Sequence, residues 1–177
     1  LAAAASSTGT TPVLIPSGTT PGTYYIIAKA DNPNAIAETN EANNTAYKTM
    51  KIGSDLSVSS LTVPATGGAG TTINVTDTTK NSGPDAAPAS TTNLYISTNN
   101  TLDGGDTLLE SISVPALAAG ADSTYTLSIT IPGIAAGTRY IIANADAPGA
   151  ITETSETNNL KSRKIQVGPN LAISSVT

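Results

Sequence analysis

The chain repeats itself at a distance of 115 residues. Residues 145–159 read ADAPGAITETSETNN and residues 30–44 read ADNPNAIAETNEANN, with ten of fifteen positions identical. The same offset carries on into Leu56 and Leu171. A period this long exceeds that of a solenoid and matches one small domain. It divides the chain into the C-terminal half of one repeat (1–53), a complete repeat (54–168) and the first strand of another (169–177). The junctions Ile52-Gly53-Ser54-Asp55-Leu56 and Val167-Gly168-Pro169-Asn170-Leu171 leave hardly any linker. Long Gly/Ser tethers behave as flexible coils; a junction this short restricts the hinge. The expectation is a tandem array of semi-rigid beads.

Within the complete repeat the apolar pattern alternates with period two, which marks half-buried strands. Strands are expected at 55–63, 71–80, 89–98, 107–114, 123–131, 137–146 and 160–167. The first should bend after Leu56 and Val58. The sixth is apolar on both faces (Ile141 and Ala143 against Tyr140 and Ile142), as a central strand would be. Short alternating strands separated by Gly, Pro and Asn turns predict an all-β Greek-key sandwich of about seven strands per unit. In the second strand, the phase of Ile73 and Val75 points Asp77 and Thr79 inward. Either a bulge turns these two to solvent, or they make a buried polar contact or meet another chain.

Composition narrows the function. There is no Cys, hence no disulfide or thiol chemistry, and no His, the commonest general base and transition-metal ligand. The net charge of −5 argues against nucleic acid. No apolar run is long enough to span a membrane. Leu1 is not an initiator residue and no signal peptide is present, so either the N-terminus has been processed or further residues precede Leu1. With no Phe or Trp, the core must be built from Val, Ile, Leu, Ala and a few Tyr, which suits a thin two-layer sandwich.

The spacing D-x-x-x-x-I-x-E-x-x-E-x-N-N occurs as Asp146, Ile151, Glu153, Glu156, Asn158 and Asn159. It occurs again as Asp31, Ile36, Glu38, Glu41, Asn43 and Asn44. With the opening Asp55-Leu56 and Asn170-Leu171, and Leu94-Tyr95-Ile96-Ser97-Thr98 before Asp103 and Asp106, it resembles the cell-adhesion-related domain found in bacteria (CARDB). That resemblance implies immunoglobulin-like sandwiches in tandem on bacterial or archaeal surface or secreted proteins, without catalytic activity. Tyr25 and Tyr140, three residues after a Gly early in the sixth strand, resemble the tyrosine corner of such sandwiches.

Several constellations carry alternatives. Asp146, Glu153, Glu156, Asn158 and Asn159, with their copies Asp31, Glu38, Glu41, Asn43 and Asn44, gather hard oxygen donors in one connection. They either brace an irregular loop by bonding nearby backbone, with Ile151 or Ile36 plugging the core, or bind Ca2+, which takes roughly six to eight oxygens. Asn99, Asp103 and Asp106 fit a hairpin loop or a second calcium loop. Glu153 and Glu156 as a catalytic pair lack aromatic pocket walls and recur in both copies. Lys80 with Asn158 or Asn159 would suit an isopeptide bond, but the first copy keeps no matching Lys. Asn43, Asn74 and Asn99 head glycosylation sequons. Lys161, Arg163 and Lys164, with Lys48 and Lys51, read as an edge-strand device or a charged contact with a neighbour.

These readings converge on a non-enzymatic, extracellular or cell-surface structural component: a fibre, stalk or adhesin shaft. Its partners would be identical neighbouring repeats or chains, and glycan or cell-surface components. The alternative is a carbohydrate- or protein-binding module of a secreted protein.

Overall fold

The computed structural model describes residues 4–169. The strand expected within 169–177 therefore lies outside the described residues, apart from Pro169. Among the described residues ten strands form: β1 (Gly22–Lys29), β2 (Thr45–Ile52), β3 (Leu56–Thr62), β4 (Thr66–Gly67), β5 (Thr72–Asn81), β6 (Ser90–Ser97), β7 (Thr107–Val114), β8 (Asp122–Thr130), β9 (Gly137–Asn144) and β10 (Leu160–Val167). Strands β1 and β2 pair with each other as a two-stranded sheet. The rest form a three-stranded sheet, β3-β5-β8, and a five-stranded sheet, β4-β10-β9-β6-β7. No helix among the described residues is long and apolar enough to cross a membrane.

The core lies between the two larger sheets. Leu56, Val58 and Leu61 of β3, and Ile73 and Val75 of β5, meet Leu94 and Ile96 of β6, Ile141 and Ala143 of β9, and Ile165 and Val167 of β10. The alternation that predicts each strand is the alternation that fills this layer. On the outer face of β5 and β8, Thr76 faces Thr126 and Thr78 faces Thr124, with hydroxyls 2.9 Å apart in each pair. Threonine there satisfies both strand preference and solvent.

All seven expected strands form, and β9 is central, between β10 and β6. The eighth strand of the repeat, β4, was not expected. Its two residues pair parallel to β10, Thr66 with Gln166 and Gly67 with Val167. Two residues carry no periodicity. Gly67 is needed there because a Cβ would collide with Ile131 Cδ1.

The bend in the first strand is a register shift between Val58 and Ser60. That shift belongs to β3, opposite Thr78 and Thr79; β5 itself pairs continuously with β8 through Asp77. Both Asp77 and Thr79 are fully buried, so the bulge that would turn them outward is corrected. Thr79 Oγ1 donates to Asp77 Oδ2 at 3.2 Å and lies 2.7 Å from Thr92 Oγ1 of β6.

β3 and β10 lie side by side and run in the same direction. Lys161 Nζ donates to the carbonyls of Val58 (3.2 Å) and Ser59 (2.6 Å), and Arg163 Nε to that of Leu61 (3.1 Å). These cations bond carbonyls that the edge strand β3 leaves free, as an edge-strand device would. The chain therefore enters the repeat at one end and leaves it at the other.

Candidate functional site

The repeated acidic-amide segment is the connection from β9 to β10. Asp146 turns the chain in the left-handed region, at φ 46°, and Asp31 does the same at φ 44°; a short polar side chain tolerates that conformation. Asp146 Oδ2 accepts the Ile151 amide (2.9 Å), and Glu156 Oε1 accepts the Glu153 amide (2.9 Å). Ile151 packs against the core.

Glu153 then reaches out of its own loop. Its Oε1 accepts the Leu56 amide at the start of β3 (2.9 Å), and its Oε2 accepts Asn159 Nδ2 (3.0 Å). Beside it, Asn158 Nδ2 donates to Asp55 Oδ1 (2.8 Å), and the Thr154 amide to the Ser54 carbonyl (2.9 Å). Burial pushes the Glu153 carboxyl up to about 7, the carboxylates of Asp146 and Glu156 adding to the rise while the Leu56 amide and Asn159 oppose it. Burial likewise pushes Asp77 up to about 6, opposed by Thr79.

The first copy is wired alike. Asp31 accepts the amides of Ala35 (3.1 Å) and Ile36 (3.0 Å), Glu41 Oε1 accepts the Glu38 amide (2.8 Å), and Asn44 Nδ2 donates to Glu38 Oε2 (2.6 Å). Carboxylate oxygens of Asp31, Glu38 and Glu41 come within 4.8 Å of one another. Among the described residues, no strand-opening amide meets Glu38 as Leu56 meets Glu153. Ile36 is exposed, whereas its counterpart Ile151 is partly buried.

The hairpin loop before β7 bonds to itself. Asp103 accepts the Gly105 amide (2.8 Å) and Asn99 Nδ2 (3.3 Å), and Asp106 accepts the Asp103 amide (2.9 Å). The Gly105 amide, then Asn99, hold the Asp103 carboxyl below its usual range. Of the sequons, Asn43, Asn74 and Asn99 are all exposed. Asn74 Oδ1 accepts from Ser128 Oγ (2.8 Å) and Asn99 Oδ1 from the Thr101 amide (2.7 Å).

The corner bond forms one residue earlier than expected. Tyr24 donates its hydroxyl to the Thr20 carbonyl (2.7 Å), and its counterpart Arg139 donates Nη2 to the Ala135 carbonyl (2.7 Å). Tyr25 instead packs edge-on against Tyr47, with ring centroids 5.5 Å apart. Adjacent strand residues point to opposite faces, so a one-residue shift changes the role.

The junction between the copies holds residues that sequence reasoning passed over. Asn81 Oδ1 accepts the amides of Asp55 (3.1 Å) and Gly83 (3.0 Å), and its Nδ2 donates to the carbonyls of Asp85, Leu117 and Ala118 (2.8, 3.1 and 3.2 Å). Asp85 Oδ2 accepts the Gly53 amide (2.7 Å). Gly83 lies against the Gly53 carbonyl, where a Cβ would collide. Lys51 Nζ pairs with Asp55 Oδ2 at 3.2 Å. The turn Asn81-Ser82-Gly83-Pro84 was legible as a turn, and nothing in it signalled a clasp.

The family model CARDB matches residues 1–48 and 53–163. Among solved structures, a crystal structure of a CARDB domain from Pyrococcus furiosus, in complex with di-metal ions, is 23% identical. It has a TM-score of 0.53, over 65% of this chain and 94% of that one. A solution structure of the same domain is 25% identical, with a TM-score of 0.52 over 64% and 94%. A Methanosarcina acetivorans domain, whose name suggests a cell surface protein, is 20% identical, with a TM-score of 0.53 over 70% and 100%. No curated protein matches.

Proposed function

The chain belongs to the CARDB family, and from that premise we propose that it is a segment of an extracellular or cell-surface fibre, stalk or adhesin shaft made of tandem immunoglobulin-like beads. The observation that carries this reading is the junction. Ser54, Asp55 and Leu56 are each hydrogen-bonded into the complete repeat, and Gly53 is clasped by Asp85. A linker built into the bead it enters cannot act as a free hinge. Because β3 and β10 run the same way, successive beads extend a line.

The reading is non-catalytic. Glu153 and Glu156 spend oxygens on backbone amides inside their own repeat, which is the work of a brace. Identical repeats are the primary partners, with glycan or other surface components at exposed faces. Solution scattering on arrays of two, three and four repeats tests the proposal. A rod gains a constant length per repeat; particles that stay compact as repeats are added would overturn it.

A second reading, a metal-binding surface module, is favoured by one observation, the approach of Asp31, Glu38 and Glu41 in the first copy. The Pyrococcus furiosus relative is described with di-metal ions. Calcium would be the ion for such hard oxygen donors. The carboxylates of both copies hold amides, and in the complete copy Glu153 is also drawn to the Leu56 amide, so the structural role is preferred there.

A further inference from the structure

We propose that the cavity beside Arg139, at one end of the complete sandwich, binds a uronic-acid residue of an anionic surface glycan, a site that rests on the reading of glycan as a partner at exposed faces and names its chemistry.

Arg139 stands where an apolar side chain is expected. On β9 it pairs with Ile165, which is fully buried, and it shares its phase with Ile141 and Ala143 of the core. Register therefore aims it inward, and it is half-buried. Its guanidinium donates Nη1 to the Thr138 carbonyl (2.8 Å) and Nη2 to the Ala135 carbonyl (2.7 Å). Both acceptors are neutral. The sole ion pair among the described residues joins Lys51 to Asp55, so no carboxylate pairs with Arg139. A cation drawn partly out of water without a counter-charge favours an anion beside it. The corner bond does not require this charge, because Tyr24 makes it in the first copy with a neutral hydroxyl.

A cavity of about 310 Å³ opens next to the guanidinium, between the β6–β7 loop and the β8–β9 connection. Thr98, Gly105, Thr107 and Ile134 line it together with Arg139. Ligand pockets run from about 300 to 1,000 Å³, so this one takes a single sugar residue or a single side chain. Thr98 and Thr107 are exposed, and Ile134 is a half-buried apolar wall packed against the core.

These parts fit one chemistry. A planar guanidinium grips a carboxylate through parallel N–H bonds. Threonine hydroxyls donate to and accept from the ring hydroxyls of a sugar, and Ile134 meets its C–H face. An inorganic anion leaves most of the cavity unfilled, and an acidic side chain leaves both threonines unused. Asp103 and Asp106 stand on the same loop, but their carboxylates accept the amides of Gly105 and Asp103, and neither pairs with Arg139.

The test is titration of the whole chain with digalacturonate, followed by NMR at the amides of Gly105, Thr107 and Ala135. Saturable shifts are expected. The dimethyl ester, which keeps the sugar and loses the charge, should bind about tenfold more weakly or worse. Arg139→Tyr should lose digalacturonate binding to the same extent while keeping the corner bond, as Tyr24 does. If that variant fails to fold, Thr107→Val decides: weaker digalacturonate binding supports the site, and unchanged binding refutes it. Absent shifts, equal binding of the ester, or equal binding by folded Arg139→Tyr would overturn the proposal. Equal binding of acetyl-aspartate amide would overturn it in favour of an acidic peptide. Binding that appears only when Asp103→Asn and Asp106→Asn are combined would overturn it too, since those acids would already neutralise the guanidinium. Scattering on the arrays is independent. Rods that bind no uronate sink this site alone, and uronate binding by arrays that stay compact sinks the shaft alone.

Discussion

Glu153 accepts the amide of Leu56 across 97 residues of sequence, at 2.9 Å, and so joins the last loop of the repeat to its first strand. Removing the carboxyl leaves two buried donors, the Leu56 amide and Asn159 Nδ2. Glu153→Ala should cost about 2–4 kcal/mol in urea melts at pH 7. Glu153→Gln should cost under about 1 kcal/mol, because Asn159 Oδ1 is buried without a partner and a flipped Asn159 amide can accept from the new NH2 group. Equal losses in both variants would show that packing, and not the bond, is what matters at this position.

The pH dependence should run opposite to ordinary acid denaturation. The carboxyls of Glu153, raised from 4.5 to about 7, and Asp77, raised from 3.8 to about 6, bind protons more tightly folded than unfolded. Between roughly pH 4 and 7 the native state holds more protons, so stability falls as pH rises and then levels off. Thermal melts should give a higher midpoint at pH 5 than at pH 7.5. A midpoint that rises over this interval contradicts both shifts.

Asp77→Val separates the two groups. Asp77 Oδ1 is buried and unpartnered, and Thr79 keeps Thr92 at 2.7 Å when the carboxylate is gone. Replacing an uncompensated buried acid with an apolar side chain should stabilise the protein at pH 7.5 by about 1–3 kcal/mol. The part of the pH slope centred near 6 should disappear. Destabilisation at pH 7.5 would mean that Asp77 organises its strand in a way its hydrogen bonds do not reveal.

Lys161 and Arg163 together bond three carbonyls of β3. Replacing both with Ala should lower stability by about 1–3 kcal/mol. It should also raise light scattering on mild heating, because the edge is uncovered. Lower stability with no added association would assign them a bracing role only.

Calcium should leave the melting midpoint within about 1 °C of the chelator value, since Asp146, Glu153 and Glu156 already accept amides in the complete repeat. A calcium-induced rise that Asp31→Asn abolishes would place the metal on the first copy.

The strand pattern was legible because a period of two is local, and it fixes which side chain faces inward. The inward phase of Asp77 and Thr79 was readable for the same reason. The choice between burial and a bulge was not, because it depends on Thr92 from another sheet. The bond from Glu153 to Leu56 and the clasp of Asp85 on Gly53 join residues far apart in sequence. Only the closed sandwich brings them together. The corner bond was misplaced by one residue because motif spacing gives position along a strand more readily than face. β4 is set by the space beside Ile131, and two residues leave no pattern to read.

Because β3 and β10 lie side by side in one direction, tension applied at Gly53 and Gly168 would draw the two strands past each other lengthwise. The bonds from Lys161 and Arg163 to β3, and the ladders to β5 and β9, would then be loaded together instead of opening one at a time like a zip. Such a domain resists extension along its axis better than forces that peel its sheets apart.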